Sequence, residues 1–123
     1  MITTETQFES DVLLVVVRHA GPGWIVRWTG MSDARNPQVF IQPIVDYLLT
    51  NIKGGRVVID FSGLTFMNSS TVSPIINMLK SLNSKAIETR VEFSDAEWQQ
   101  THLRCLKTIS RVLEHVTVVG RPT

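Results

Sequence analysis

One stretch of the sequence, residues 56–82, constrains the fold more than any other. It begins with an apolar, β-branched run, RVVIDF, and ends in an amphipathic helix whose apolar residues recur at three- and four-residue spacing. Between the two lies a short polar turn with Asn68, Ser69, Ser70 and Thr71 in succession. Open α/β sheets are built from buried strands that pass through such turns into helices, and they place ligands and modifications at the end of the strand. The sequence therefore predicts an α/β fold with its functional site at this turn.

Length and composition predict a single domain over residues 1–123. A chain of 123 residues with 43% hydrophobic and 19% charged residues is ordinary for a globular protein with one core. The longest apolar run, residues 12–17, is too short to span a bilayer, and the polar start of the chain lacks the features of a signal peptide. The net charge of +1 is spread along the chain, which gives no support to nucleic acid binding. We therefore expect a cytoplasmic protein that binds neither membrane nor nucleic acid.

Periodicity and turn residues predict about five strands and three main helices. The expected strands cover residues 12–18, 24–29, 56–61, 89–93 and 116–119, and residues 1–10 are expected to form a loose lead-in. A helix is expected after each of the second, third and fourth strands. Because crossover helices join parallel strands, this order predicts a mostly parallel mixed sheet with an antiparallel hairpin at its N-terminal end.

Several local features leave alternatives or make specific predictions. Pro43 predicts either a kink in the first helix or a late start at Gln42. Pro74 allows the second helix to begin after Ser73 or, with a distorted first turn, at residues 69–70. The third helix is expected to open with a capping box at residues 94–97. The apolar centre of the third strand, residues 57–59, predicts a strand covered by helices on both faces.

The sequence contains no recognisable catalytic constellation. His19, His102 and His115 fall in separate elements without metal-ligand spacing, and no GxSxG elbow surrounds the serines. Cys105 falls on the apolar stripe of the third helix, where a small core residue is expected. A small hydrolase that uses one of the serines is therefore disfavoured, and we expect no enzyme activity, no metal and no cofactor.

The polar turn has two interpretations. A hydroxyl at a helix N-terminus usually caps the helix. Here several hydroxyls stand where one cap would suffice, and the apolar Leu64, Phe66 and Met67 precede them, which favours a surface corner suited to a protein partner. A phosphate on such a serine would add nearly two negative charges to a helix N-terminus that favours anions. The phosphate would therefore change the contact with a docked partner.

The segment IDFSGLTFMNSSTVSPII resembles the signature of the STAS domain, the fold of bacterial anti-sigma factor antagonists. In that signature a strand ends in aspartate and leads through an apolar segment to an Asp-Ser-Ser/Thr-Gly turn and a helix. Asp60 resembles the aspartate that ends the central strand, and Gly30 resembles a glycine that closes the second strand. The chain departs from the pattern at Asn68 and Thr71, which replace aspartate and glycine, and at Pro74.

The resemblance implies a phosphorylation switch at Ser69. In the family, a histidine-kinase-like ATPase that is both serine kinase and anti-sigma factor phosphorylates this serine, and a metal-dependent serine phosphatase removes the phosphate. The unmodified protein would bind the kinase and the phosphorylated protein would release it, with Met67, Asn68, Ser70 and Thr71 shaping the partner-binding corner. We therefore predict a non-enzymatic, partner-switching regulator that is a monomer or weak homodimer. The alternative is an unphosphorylated STAS-like scaffold that binds a partner constitutively, with Ser69 as a plain helix cap.

Overall fold

The computed structural model describes residues 5–94 and 96–121 of the chain. Along these residues, six strands and three helices follow one another in the order β1-β2-β3-α1-β4-α2-β5-α3-β6. The strands are β1 (Glu5–Glu9), β2 (Leu13–Ala20), β3 (Gly23–Ser32), β4 (Arg56–Met67), β5 (Glu88–Ser94) and β6 (Val116–Arg121). The helices are α1 (Pro37–Asn51), α2 (Ser69–Ser84) and α3 (Glu97–Ser110).

All six strands form one mixed sheet in which spatial order equals chain order. The first three strands pair antiparallel, and β3 to β6 pair parallel, with one helix crossing between each parallel pair. Because each crossover advances the sheet in the same direction, right-handed connections place all three helices on one face. The predicted α/β fold, with its mixed sheet, N-terminal hairpin and three helices, is confirmed.

The core lies between the helices and this inner face of the sheet. Aromatic rings from three strands pack across it, with 5.1 Å between the centroids of Trp28 and Phe61, which are tilted, and 5.1 Å between those of Phe61 and Phe93, which are stacked. The helices cover these rings with fully buried aliphatic side chains, among them Ile44, Leu48, Ile75, Leu79 and Leu82. Burying each large apolar side chain contributes about 1.5–3 kcal/mol, so this layer supplies the main driving force for folding.

None of the three helices in residues 5–94 and 96–121 covers the outer face of the sheet. Arg27 is exposed and Val58 is only half-buried, and a charged pair joins neighbouring strands at 3.4 Å between Arg27 Nε and Asp60 Oδ2. The prediction of helices on both faces of the central strand is therefore wrong. The apolar run of residues 57–59 cannot show that one face of the sheet lacks helices, because the side on which each helix lies depends on the direction of the crossover.

The lead-in predicted at the start of the chain is instead an edge strand. Residues Glu5–Glu9 pair with β2, with Phe8 opposite Val15. Phe8 packs edge-on against the Tyr47 ring at 5.8 Å, and Thr6 Oγ1 donates a 2.9 Å hydrogen bond to Tyr47 Oη. The strand escaped sequence analysis because its only large apolar residue is Phe8.

Strand β4 is twice as long as predicted, because it continues from Phe61 to Met67 past two irregularities in its pairing with β3. Asp60 Oδ1 accepts bonds from Ser62 N and Oγ at 2.9 and 2.6 Å, which holds the first bend. Close approach of the strands requires glycine at position 63, since a Cβ there would lie 2.8 Å from Thr29 Cγ2. The extension carries the chain directly to the start of α2.

The first helix starts at Pro37 and runs through Pro43. The predicted late start at Gln42 is therefore wrong, and the missing N–H of Pro43 leaves the Val39 carbonyl without an intrahelical bond. None of the described helices combines the length and apolar character needed to cross a bilayer.

The third helix differs from prediction at its start and on its surface. It begins at Glu97 after Ala96, with no side-chain capping bond, so the predicted capping box opening at Ser94 is wrong. Cys105 is exposed, so its assignment to the core is also wrong. The polar Gln99 takes an inner position instead, buried to 1% exposure.

Candidate functional site

The second helix starts directly at the end of β4, and Asn68 is its N-cap. The backbone of Asn68 is extended, and its side-chain Oδ1 accepts a 3.0 Å hydrogen bond from Thr71 N. The helix therefore begins at Ser69, which confirms the second of the two starts that Pro74 allowed. Pro74 is tolerated inside the helix at the cost of one bond to the Ser70 carbonyl.

A buried chain of hydrogen bonds fixes this cap to two neighbouring segments. Thr71 is fully buried, and its Oγ1 donates to Asn68 Oδ1 at 2.7 Å and lies 2.7 Å from Ser32 Oγ at the end of β3. Because the Thr71 hydroxyl donates its proton to Asn68 Oδ1, the Ser32 hydroxyl is the donor in the bond between Ser32 Oγ and Thr71 Oγ1. Asn68 Nδ2 donates in turn to Ala34 O at 3.0 Å, which ties the β3–α1 loop to the helix start.

The hydroxyls of Ser69 and Ser70 lie outside this network. Both residues are exposed, and among the described residues neither hydroxyl makes a hydrogen bond. Since Asn68 caps the helix, the folded state does not require either serine hydroxyl. The corner thus separates an inner hydroxyl, that of Thr71, from two outer ones.

Three predicted corner residues occupy different depths. Met67 is buried to 3% exposure and points inward with Thr71, so these two shape the corner from beneath. Asn68 is half-buried between them and the surface. Of the apolar residues expected to be exposed before the turn, Leu64 is buried in the core and only Phe66 is exposed, at 45%.

Phe66 belongs to a row of three apolar residues on neighbouring segments of the chain. It pairs with the half-buried Met31 on β3, and Met31 N donates to the carbonyl of Val12, which is 44% exposed. This row, Val12–Met31–Phe66, crosses the strand ends at the edge of the sheet from which α2 begins. The two exposed apolar side chains of this row are suited to contact with another protein.

Helix α3 supports the corner through side chains that sequence analysis missed. Gln99 Nε2 donates to Leu64 O at 3.0 Å and Phe61 O at 3.3 Å, while its Oε1 accepts from Ser94 N at 2.7 Å. One turn on, His102 Nε2 lies 3.0 Å from Met67 O and acts as the donor, because a carbonyl can only accept. These bonds satisfy β4 carbonyls beyond Asp60, where β4 no longer pairs with β5.

The three histidines lie apart. His19 stacks on Trp24 at 4.6 Å, His102 contacts Met67, and His115 Nδ1 lies 2.6 Å from Glu88 Oε1. Within residues 5–94 and 96–121, no group of three or more His, Cys, Asp or Glu side chains is arranged to hold a metal ion.

A small cavity of about 60 Å³ lies beside the corner, lined by residues that include Met31, Ser32, Ala34 and Phe40. Sites for drug-sized ligands measure about 300–1,000 Å³, so this cavity matches a side chain or a few waters. The corner accordingly offers an exposed hydroxyl beside a cavity that is too small for such a ligand.

Comparison with known protein families agrees with this architecture. The family model of the STAS domain matches residues 11–108. The chain belongs to the STAS domain family. Among solved structures, it is similar to an anti-sigma factor antagonist from Mycobacterium paratuberculosis, with a TM-score of 0.63 and 19% sequence identity over 81% of this chain and 84% of that one. At that identity the likeness shows the fold. No sequence among curated proteins matches the chain significantly.

Two departures from the STAS turn pattern, Asn68 and Thr71, contact each other. A glycine at position 71 would supply no hydroxyl to Asn68 Oδ1, and an aspartate at position 68 would have no N–H for the Ala34 carbonyl. The two replacements therefore form one hydrogen-bonded unit. This STAS domain fixes its helix start with an amide where the family pattern has a carboxylate.

Proposed function

We propose that this STAS domain is a partner-switching regulator of the anti-sigma factor antagonist type, controlled by phosphorylation of Ser69. The observation that carries the proposal is the exposed Ser69 hydroxyl, which makes no hydrogen bond to any described residue and lies at the first position of α2. A kinase can reach such a hydroxyl without unfolding the corner. The resemblance of this turn to the STAS pattern supports the first of the two serines as the acceptor.

A phosphate at Ser69 is compatible with the local structure. The first amides of a helix lack intrahelical acceptors and carry partial positive charge, so they stabilise an anion there by about 0.3–1 kcal/mol. Asn68 is neutral, so no carboxylate at the adjacent position repels the phosphate. The modification should therefore leave the fold intact.

Phosphorylation of Ser69 would instead weaken the binding of the partner. An unmodified corner presents two small neutral hydroxyls at the same end of the sheet as the Val12–Met31–Phe66 row, a surface that a protein can cover without burying a charge. A phosphate adds close to two negative charges and three acceptor oxygens to the same surface. Desolvating that charge costs several kcal/mol unless the partner supplies cations, so binding is lost. The proposed partner is a histidine-kinase-like ATPase with serine kinase and anti-sigma activity, and the proposed reset enzyme is a serine phosphatase.

Affinity capture with charge variants tests this switch. Immobilised wild-type protein, Ser69→Ala and Ser69→Asp are exposed to extract from native cells, and the retained proteins are quantified by mass spectrometry. We expect wild type and Ser69→Ala to retain an ATPase of the stated class and Ser69→Asp to lose it at least tenfold. Ser73→Asp is the matched control, because Ser73 is an exposed serine one turn further along α2.

Equal retention by Ser69→Asp and wild type would overturn the switch and favour the constitutive scaffold. Circular dichroism of Ser69→Asp must show the wild-type spectrum and unfolding temperature, so that lost binding cannot be attributed to lost structure.

A further inference from the structure

The parallel edge of the sheet, strand β6, carries a row of unused backbone hydrogen-bonding groups. Thr89 N donates to His115 O, and the ladder between β5 and β6 alternates from there in register. Thr117 and Val119 therefore direct their N–H and C=O groups toward β5. Val116, Val118 and Gly120 direct theirs away from the sheet.

One of these outward groups has a partner within the chain. Val116 N donates to Leu113 O at 3.2 Å in the turn after α3. The free groups among the described residues are thus the N–H of Val118 and Gly120 and the C=O of Val116, Val118 and Gly120.

This set of groups is self-complementary. If two β6 strands pair antiparallel with Val118 opposite Val118 of a second copy, Val118 N–H reaches the partner's Val118 C=O in both directions. Gly120 N–H likewise reaches the partner's Val116 C=O in both directions. All free donors are then satisfied. The Gly120 C=O stays without a partner in this register, because the Val116 N–H that would face it is already bonded to Leu113 O.

The side chains of β6 also permit this pairing. Between residues 116 and 120 the strand has no charged residue and no proline, the two devices that most often keep edge strands apart. Gly120 would stand opposite Val116, and the exposed Thr117 would stand opposite Val119 on the outer face. The other edge strand, β1, differs, because its exposed outer-face residues are Glu5, Gln7 and Glu9.

We infer that this chain forms a symmetric homodimer by antiparallel pairing of β6 with β6 of a second copy. Two six-stranded sheets then become one continuous sheet across the two-fold axis. Strands β4 of the two copies run in opposite directions. The two Ser69 corners therefore lie at opposite ends of the strands in the joined sheet, and both stay accessible. The inference goes beyond the proposed switch and does not depend on it.

Amide hydrogen exchange across protein concentrations from micromolar to millimolar tests the interface without mutation. We expect the amides of Val118 and Gly120 to exchange fast in dilute protein and to become protected as concentration rises. The amides of Thr117 and Val119, which are bonded to β5, should be protected throughout. Exchange at Val118 and Gly120 that stays fast up to millimolar concentration would overturn the inference.

Sedimentation velocity with charge variants locates the interface independently. Thr117→Lys combined with Val119→Lys places like charges opposite each other twice across the two-fold axis and should weaken dimerisation roughly tenfold. The matched control, Glu5→Lys with Gln7→Lys, makes the same kind of change on the other edge strand and should leave dimerisation unchanged. A monomer at all concentrations, or a dimer sensitive only to the β1 variant, would contradict the proposed interface.

Discussion

Two corners of this molecule have the same construction and use their polar side chains in opposite ways. Each lies where a parallel strand ends and a helix begins, β4 to α2 and β5 to α3, and each has serine next to asparagine or aspartate in the sequence. At the first corner an amide, Asn68, caps the helix and leaves Ser69 and Ser70 free. At the second, Ser94 is buried and its hydroxyl accepts from Ala96 N at 3.3 Å.

The difference between the two corners shows which hydroxyls are available for function. A serine at a helix start is available for modification only where another group performs the structural task. The second corner also supports the first, since Gln99 and His102 of α3 bond to carbonyls of β4 just before Asn68. We therefore expect substitutions of the supporting residues to reduce stability strongly and substitutions of the exposed serines to change it little.

The largest effect is expected for Gln99→Leu. The substitution leaves two β4 carbonyls and the Ser94 amide buried without partners, and each such loss costs about 1–3 kcal/mol. We expect the free energy of unfolding, measured by urea denaturation, to fall by about 3 kcal/mol. Thr101→Ala, an exposed site on the same helix, is the control and should change it by less than about 0.5 kcal/mol. A Gln99→Leu variant as stable as the Thr101→Ala control would show that α3 does not support the corner through Gln99.

Asn68→Ala should have the next largest effect. It removes the cap of α2 and the bond to Ala34 O together, and loss of a good N-cap costs about 0.5–2 kcal/mol. We expect about 2 kcal/mol in thermal or urea unfolding. Asn77→Ala, at an exposed asparagine later in α2, should be close to neutral. If the two variants lose equal stability, the cap must lie elsewhere.

Thr71→Val should cost about 1 kcal/mol, because it keeps the shape of the side chain but removes one buried hydroxyl from the chain of bonds. Ser32 Oγ and Asn68 Oδ1 would each lose a partner. The same unfolding measurement applies, with Ser70→Ala as the exposed counterpart. A neutral or stabilising result would show that the buried network contributes no net stability.

The smallest effect is expected for Ser69→Ala, which should change the free energy of unfolding by less than about 0.5 kcal/mol. The hydroxyl makes no bond to any described residue, so its removal leaves nothing unsatisfied. If Ser69 were the cap, as in the scaffold alternative, the loss would be about 1 kcal/mol. This substitution therefore separates the two interpretations of the turn.

The sequence predicted those features that depend on local pattern. The strand, turn and helix of residues 56–82 follow from periodicity, and the helix start at Ser69 was one of two starts left open by Pro74. The sequence did not single out Asn68 as the cap, because the serines and threonine that follow it are also good N-cap residues. A polar residue such as Gln99 on an otherwise apolar stripe was the available sign of the α3 support.

Features that depend on distant contacts could not be predicted from pattern. The length of β4 depends on how Gly63 lies against Trp28 O and Thr29, and the bare outer face depends on the common direction of three crossovers. Strand β1 is held by pairing with β2 and by Tyr47, and its own sequence indicates neither contact.

We propose that the free hydroxyl at the start of α2, that of Ser69, is the one that carries the phosphate. Its most direct test is phosphopeptide mapping by mass spectrometry of the protein isolated from native cells under phosphatase inhibition, in several growth phases. We expect phosphate at Ser69 in at least one phase and none at the buried Thr71 or Ser32. Phosphate found only at other residues, or a protein without phosphate in every phase, would contradict it.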